Sequence, residues 1–125
     1  MFKAIHPILG TRDMDRTHRF YVDRLGFTLA FHSQPDPASP VSYAGLRRDN
    51  VELHFQWQFE HEMGTTRLRL LVEDPDALYA EYQDKQVLKD QSEVKSTPWG
   101  TREFAFYDPD KNALTFYRDL RRDER

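Results

Sequence analysis

The stretch RDMDRTHRFYVDRLGFTLAF, residues 12–31, carries the signals for a helix start, a helix end and a following strand. Asp13 is of the type that commonly caps a helix N-terminus, and Gly26 is of the type that commonly follows a helix C-terminus. Between them, the less polar residues recur at steps of three and four: Thr17, Phe20, Tyr21 and Leu25. This spacing predicts a helix over Met14–Leu25 with one face packed inward, followed by a strand over Phe27–His32.

Three further segments of the first half have the composition of strands. Phe2–Leu9 alternates and is rich in β-forming residues. After a proline-rich loop, Val41–Leu46 and Val51–Gln58 flank a polar turn at residues 48–50, which is a pattern typical of a hairpin. The first half is therefore predicted to run strand, helix, strand, strand, strand.

The second half begins the same order again. Arg67–Val72 has a strand pattern, and Asp74 followed by Pro75 is a helix cap with proline at the first helical position. Strands are predicted after this helix at Thr101–Tyr107 and Ala113–Tyr117.

The recurrence has a fixed spacing, because three pairs of residues are each separated by 61 positions: Asp13 and Asp74, Tyr21 and Tyr82, and His6 and Arg67. A repeat of this length indicates two copies of one supersecondary unit, neither of which buries its sheet face alone. We predict a single domain over residues 1–125, with a first module at about 2–58 and a second at about 66–119.

Composition limits the classes of function. The net charge of −3 argues against a nucleic-acid partner. No apolar stretch approaches the roughly 18 residues of a membrane helix, and no signal peptide is seen, so we expect a cytoplasmic protein with no membrane partner. The chain has no cysteine but has two tryptophans, six tyrosines and nine phenylalanines. So many rings are expected to line a cleft or a subunit interface as well as the core.

The quoted stretch, together with TPWGTREFAFYDPDKNALTFY at residues 97–117, resembles the vicinal-oxygen-chelate superfamily. That superfamily includes glyoxalase I, extradiol dioxygenases, fosfomycin-resistance proteins and bleomycin-resistance proteins, and the resemblance runs from about His6 to Asp119. It implies an α+β fold of two βαβββ modules, with mixed sheets curved around a cavity and helices outside.

The resemblance also implies four cavity positions where the metal enzymes carry His, Glu or Gln. In this chain they map onto His6, Glu52, Arg67 and Thr115. Arginine has no lone pair to donate and stays protonated, so Arg67 would repel an ion and pair with a carboxylate such as Glu52. We therefore predict no metal, no other cofactor and no catalytic residues.

Retention of the fold with loss of the metal is similar to the bleomycin-resistance branch. That branch implies a metal-free homodimer that confers antibiotic resistance by sequestering a bulky, cationic and aromatic small molecule in clefts between subunits. One alternative is a metal-dependent lyase or dioxygenase that uses His6, Glu52 and a third donor such as His54. Another is an interaction module without a small ligand.

Nine residues are candidates for ligand contact: His6, Asp36, Tyr43, Glu52, His54, Trp57, Arg67, Trp99 and Thr115. The alignment with the family places Glu52 and His54 on the cavity face of their strand. Trp99 lies in a Pro-Trp-Gly loop, where a large ring has few core partners. Trp57 either packs in the core or projects toward the cleft, and Asp36 is either a ligand contact or a solvated loop acid. Lys111 stands where the family usually has glycine, and if the backbone there is left-handed, lysine costs about 1 kcal/mol.

Overall fold

The computed structural model describes residues 1–88 and 92–125. The chain divides into two compact units, Met1–Gly64 and Thr65–Arg125. The division falls between the two modules predicted from the sequence. That the units form a single domain stays a prediction, and each unit is described here by itself.

The first unit contains one mixed four-stranded sheet. Its strands are β1 (Ile8–Thr11), β2 (Thr28–Ser33), β3 (Tyr43–Arg48) and β4 (Val51–Trp57). Their order across the sheet is β1-β4-β3-β2. The outer strand β1 runs parallel to β4, whereas β3 is antiparallel to both of its neighbours. The predicted hairpin around residues 48–50 is confirmed.

The helix of this unit begins as predicted and ends differently. Asp13 caps α1 (Met14–Arg19) by accepting a hydrogen bond from the Arg16 amide. The chain then continues as a π-helical turn over Phe20–Arg24, with the Leu25 amide donating to the carbonyl of Phe20. Gly26 follows with a φ of 80°, a left-handed conformation that ends the helix.

The predicted first strand, Phe2–Leu9, is wrong in its bounds. Only Ile8–Thr11 pair with β4, although the carbonyl of Pro7 still accepts from the His54 amide. Pro7 has no N–H to donate to a ladder, and Met1, Phe2 and Ile5 are almost fully exposed. The strand therefore starts after the proline.

The second unit repeats this architecture. It consists of β5 (Arg67–Leu71), α2 (Pro75–Asp84), β6 (Lys95–Ser96), β7 (Thr101–Tyr107) and β8 (Ala113–Asp119), and the sheet order is β5-β8-β7-β6. The two-residue strand β6 was not predicted. Asp74 caps α2 through the Ala77 amide, as the sequence indicates. Two 3₁₀ turns, Glu60–Glu62 and Arg122–Glu124, follow the sheets.

Both sheets bury one face against their helix. In the first unit the ring of Tyr21 lies 4.6 Å from that of Phe55, and both side chains are buried. In the second unit Tyr82 takes the same place against Phe106 and Phe116. The α+β class with two βαβββ modules is confirmed. Among the described residues, no helix has the length and apolar character needed to cross a bilayer.

Candidate functional site

The other face of the first sheet carries a hydrogen-bonded group that we call the His54 cluster: His6, Tyr43, Arg47, Glu52 and His54. His54 is central. Its Nδ1 atom lies 2.9 Å from the Tyr43 hydroxyl and its Nε2 atom 2.8 Å from a Glu52 oxygen. Alternation along β4 brings Glu52 and His54 to this face, because Leu53 and Phe55 point into the core.

Glu52 is already paired within its own unit. Arg47, its direct partner across the β3–β4 hairpin, places a guanidinium nitrogen 3.0 Å from the carboxylate. The hydrogen bond with His54 and the bond from Arg47 lower the pKa of Glu52 below its usual value. The predicted pair of Glu52 with Arg67 joins the two units and stays a prediction.

Aromatic rings enclose His54 on two sides. The His6 ring stacks on it with centroids 4.7 Å apart, and the edge of Phe31 meets it at 5.2 Å. Phe31 lies across Gly45, where an added Cβ would come within 2.3 Å of the ring. Because Gly45 has no side chain, the Phe31 ring can lie against the strand. Its apolar surface then borders the His54 cluster.

The register of the strands shows which positions of the two units correspond. Ile8 pairs with His54 in the first unit, and Arg69 pairs with Thr115 in the second, so His54 is the counterpart of Thr115. Glu52 corresponds to Ala113, two residues earlier. The first unit therefore offers His6 and His54 at the repeated positions, with Glu52 beside them.

This donor set does not match the four-ligand site that the fold family implies. Ligand atoms of His6, Glu52 and His54 lie within 4.8 Å of one another. Nδ1 of His54, however, is bonded to the Tyr43 hydroxyl, and Arg47 donates to one oxygen of the Glu52 carboxylate. The repeated positions in the second unit are Arg67 and Thr115, and neither supplies an imidazole or carboxylate.

The second unit contains a cleft of about 480 Å³ on the corresponding face of its sheet. Its floor consists of small side chains on β7 and β8: Ala105, Ala113 and Thr115. Trp99 and Tyr107 stand at its border and are 66% and 57% exposed. The charged residues that line it are Arg67, Glu93, Lys95 and Glu103. A cleft of this size with aromatic walls is suited to a flat organic molecule.

Glu103 has three hydrogen-bond donors at one end of this cleft. One of its carboxylate oxygens accepts from the Thr101 hydroxyl at 2.6 Å, the Trp99 indole at 3.2 Å and Arg69 at 3.3 Å. Burial raises the pKa of Glu103, but these three donors outweigh it, and the net effect is a lowered pKa. The guanidinium of Arg69 also lies over the ring of Tyr117, 4.3 Å from its centroid.

The predicted contact residues thus fall into two groups and two outliers. His6, Tyr43, Glu52 and His54 come together in the first unit, and Arg67, Trp99 and Thr115 line the cleft of the second. Asp36 uses its carboxylate to hold its own loop, by accepting from the Ala38 amide and the Ser39 hydroxyl. Trp57 is not in the core: it is 37% exposed, beside Phe59 and beneath Arg12.

Sequence reasoning missed three polar participants: Arg47, Arg69 and Glu103. Arg47 had a usable signal, because the predicted hairpin places it directly opposite Glu52. The bond between Arg69 and Glu103 joins β5 to β7 across the intervening β8. No local pattern in the sequence indicates a contact of that kind.

Comparison with known proteins agrees with the architecture. A sequence model of the Glyoxalase/Bleomycin resistance protein/Dioxygenase superfamily matches residues 3–116. The bleomycin resistance protein of Geobacillus stearothermophilus is 28% identical over 134 aligned positions, which cover 92% of this chain and 96% of that protein.

Two solved structures share the fold. The bleomycin-binding protein of bleomycin-producing Streptomyces verticillus, complexed with copper(II)-bleomycin, is 29% identical with a TM-score of 0.70, covering 93% of this chain and 95% of that one. A glyoxalase-related enzyme from Clostridium phytofermentans is 20% identical with a TM-score of 0.76, covering 96% and 97%. The chain belongs to the Glyoxalase/Bleomycin resistance protein/Dioxygenase superfamily.

Proposed function

We propose that this protein is a metal-free drug-binding protein that sequesters a bulky aromatic small molecule, as the names of its bleomycin relatives suggest. Protection would come from binding alone, with no bond made or broken in the ligand. We further propose that it acts as a homodimer in the cytoplasm and confers resistance to an antibiotic.

The observation that carries this proposal is the cleft of the second unit, where two exposed rings border a floor of small side chains. Trp99 projects from a loop, donates its indole N–H to Glu103 and is 66% exposed, so ring surface is available for stacking. In this unit, Arg67 and Thr115 stand at the positions where the resemblance to the metal enzymes would place metal ligands. These features support binding of a flat ring and give no support to metal-dependent chemistry in this unit.

A cationic ligand has weaker support. The acids on the two polar faces, Glu52 and Glu103, each already carry an arginine. Glu93 is the described acid of the cleft lining that has no cationic partner among the described residues of its unit.

Calorimetric titration with bleomycin tests the proposal. We expect saturable binding near one ligand per chain for the wild-type protein. Absence of both heat and saturation would remove bleomycin as the ligand. Size-exclusion chromatography with light scattering tests the dimer, since the proposal requires a mass of twice the 14.9 kDa chain.

One observation favours the alternative of a metal-dependent lyase or dioxygenase. His6, Glu52 and His54 are three donors close enough to share one ion. Elemental analysis of purified protein separates the two functions. The binding proposal expects far less than one transition-metal ion per chain, and near-stoichiometric metal would support the enzyme.

A further inference from the structure

We propose that the cleft of the second unit recognises an anionic group on its aromatic ligand, with Arg67 as the anchor for that group. The inference rests on the proposed binding function and names the class of ligand. It points to an aryl carboxylate, sulfonate or phosphate group on the ligand.

Arg67 has no carboxylate partner among the described residues of its unit. Among residues 65–88 and 92–125, no carboxylate lies within 4.0 Å of its guanidinium, whereas the neighbouring Arg69 pairs with Glu103. Arg67 therefore presents a planar, permanently charged fork to the cleft.

The charged side chains that line the cleft differ in whether they already have a partner. Glu103 is neutralised by Arg69 and two neutral donors, so it offers little to a cation. Lys95 has no carboxylate within 4.0 Å among the described residues of its unit, and Glu93 is likewise without a cation there. The charged residues of the lining are two cations, Arg67 and Lys95, and two carboxylates, Glu93 and Glu103. Because Glu103 is already paired with Arg69, which lies outside the lining, the two cations face one unpaired carboxylate, Glu93. The field in the cleft consequently favours a negative group.

Arg67 lies in line with the aromatic ring of Tyr107 across the sheet. In the sheet register Arg67 pairs with Ala113, and Ala113 pairs with Tyr107, so the three lie in one row across β5, β8 and β7. Neighbouring strands are about 4.8 Å apart. A ring lying on Ala113 beside Tyr107 would therefore carry its substituent toward the guanidinium. A carboxylate or sulfonate matches the spacing of that fork.

The test uses two probes with the same ring and opposite charge, naphthalene-1-sulfonate and 1-naphthylmethylammonium. Each is titrated into the ¹⁵N-labelled full chain, with the indole N–H signal of Trp99 as the reporter. Trp57→Phe assigns the two indole signals. We expect the sulfonate to bind roughly tenfold more tightly than the ammonium, and its affinity to fall as salt is added.

Variants identify the residue responsible. Arg67→Gln is expected to weaken sulfonate binding roughly tenfold and to leave ammonium binding within about twofold. Arg122→Gln is the matched control, because it removes an exposed arginine of the C-terminal turn outside the cleft, and it should change neither affinity. Thermal unfolding of each variant checks that the fold is retained. Since the Arg67 side chain lies at the surface, Arg67→Lys provides a second folded variant and should restore part of the sulfonate affinity.

The outcomes distinguish a failure of the anion site from a failure of the proposed binding function. If both probes bind equally well, or the ammonium binds better, the anion site is wrong and the binding function stands. If Arg67→Gln leaves sulfonate binding unchanged, the inference is likewise overturned. If neither probe shifts the Trp99 signal, the aromatic cleft itself fails, and the proposed function falls with the inference.

Discussion

The Nε2 atom of His54 lies 2.8 Å from Oε2 of Glu52, and neither side chain is more than 15% exposed. The ring's other nitrogen is bonded to Tyr43, so each polar atom of the imidazole has a partner inside the first unit. Hydrogen bonds to both ring nitrogens hold His54 in one orientation on this face of the sheet. The Glu52 carboxylate is bonded to this ring, so its protonation affects the free energy of unfolding.

Glu52→Gln is expected to destabilise the protein at neutral pH, and the deficit should shrink in acid. His54 and then Arg47 lower the pKa of Glu52, so the carboxylate contributes stability above its ordinary value of 4.5. That contribution is lost as the pH falls through the lowered value. Melting temperatures of both proteins from pH 7 to pH 3 measure it, with Glu60→Gln as an exposed control. A deficit that stays constant across this range contradicts the prediction.

Trp99→Ala is expected to weaken binding of an aromatic ligand roughly tenfold with little effect on folding. The side chain is 66% exposed, so its removal should change the free energy of unfolding by less than about 0.5 kcal/mol. Calorimetry with bleomycin and urea unfolding measure the two effects. Phe59→Ala removes an exposed ring of the first unit and serves as the control. Equal loss of affinity in both variants would contradict a specific role for Trp99.

Lys111→Gly is expected to stabilise the protein by about 1 kcal/mol. Lys111 has a φ of 67°, which is unfavourable for a residue with a Cβ. The turn is otherwise well bonded, because Asp108 accepts from the amides of Asp110 and Asn112. Urea unfolding measures the gain. Lys111→Ala removes the charge but keeps the Cβ, and a similar gain in that variant would show that charge, not backbone conformation, is the cause.

The C-terminal turn should loosen only in strong acid. Arg118 makes a two-pronged ion pair with Glu124, and the Arg121 amide adds a third donor, so the pKa of Glu124 is lowered from 4.5 to about 2. The contribution of Glu124 to stability is therefore complete above pH 4.5 and is lost as the pH falls toward about 2. Amide hydrogen exchange of residues 118–125 reports this change.

Glu124→Gln should remove the acid-dependent step in that exchange, and Asp123→Asn should leave it in place. Protection is compared with the exchange of an unfolded peptide at the same pH. If the protection of the wild-type turn is the same at about pH 6 and about pH 1.5, the ion pair does not hold the C-terminus.

Much of the fold could be predicted from the sequence because its signals are local. The caps at Asp13 and Asp74 and the alternation of the strands depend on neighbours only a few residues away. The start of β1 was misjudged because pairing, and not composition, decides where a strand begins. The short β6 is held by its partner β7, and nothing in Lys95–Ser96 alone indicates a strand.

The candidate site was predictable only in part. Positions at the repeat spacing, such as His6 and Arg67, could be identified from the sequence. The partners that determine their chemistry come from strand register, as with Arg47 opposite Glu52, or from contacts across a whole strand, as with Arg69 and Glu103. Among the described residues of its unit Arg67 has no carboxylate partner, and Glu103 is paired instead with Arg69.

Recovery of the ligand tests most directly whether this protein acts by binding alone. The protein is incubated with an excess of bleomycin, and free and bound ligand are then quantified and identified by mass spectrometry. Our account predicts that about one equivalent per chain is bound and that all of the ligand is recovered unaltered, however long the incubation. Conversion of more than one equivalent per chain into a new product would contradict it.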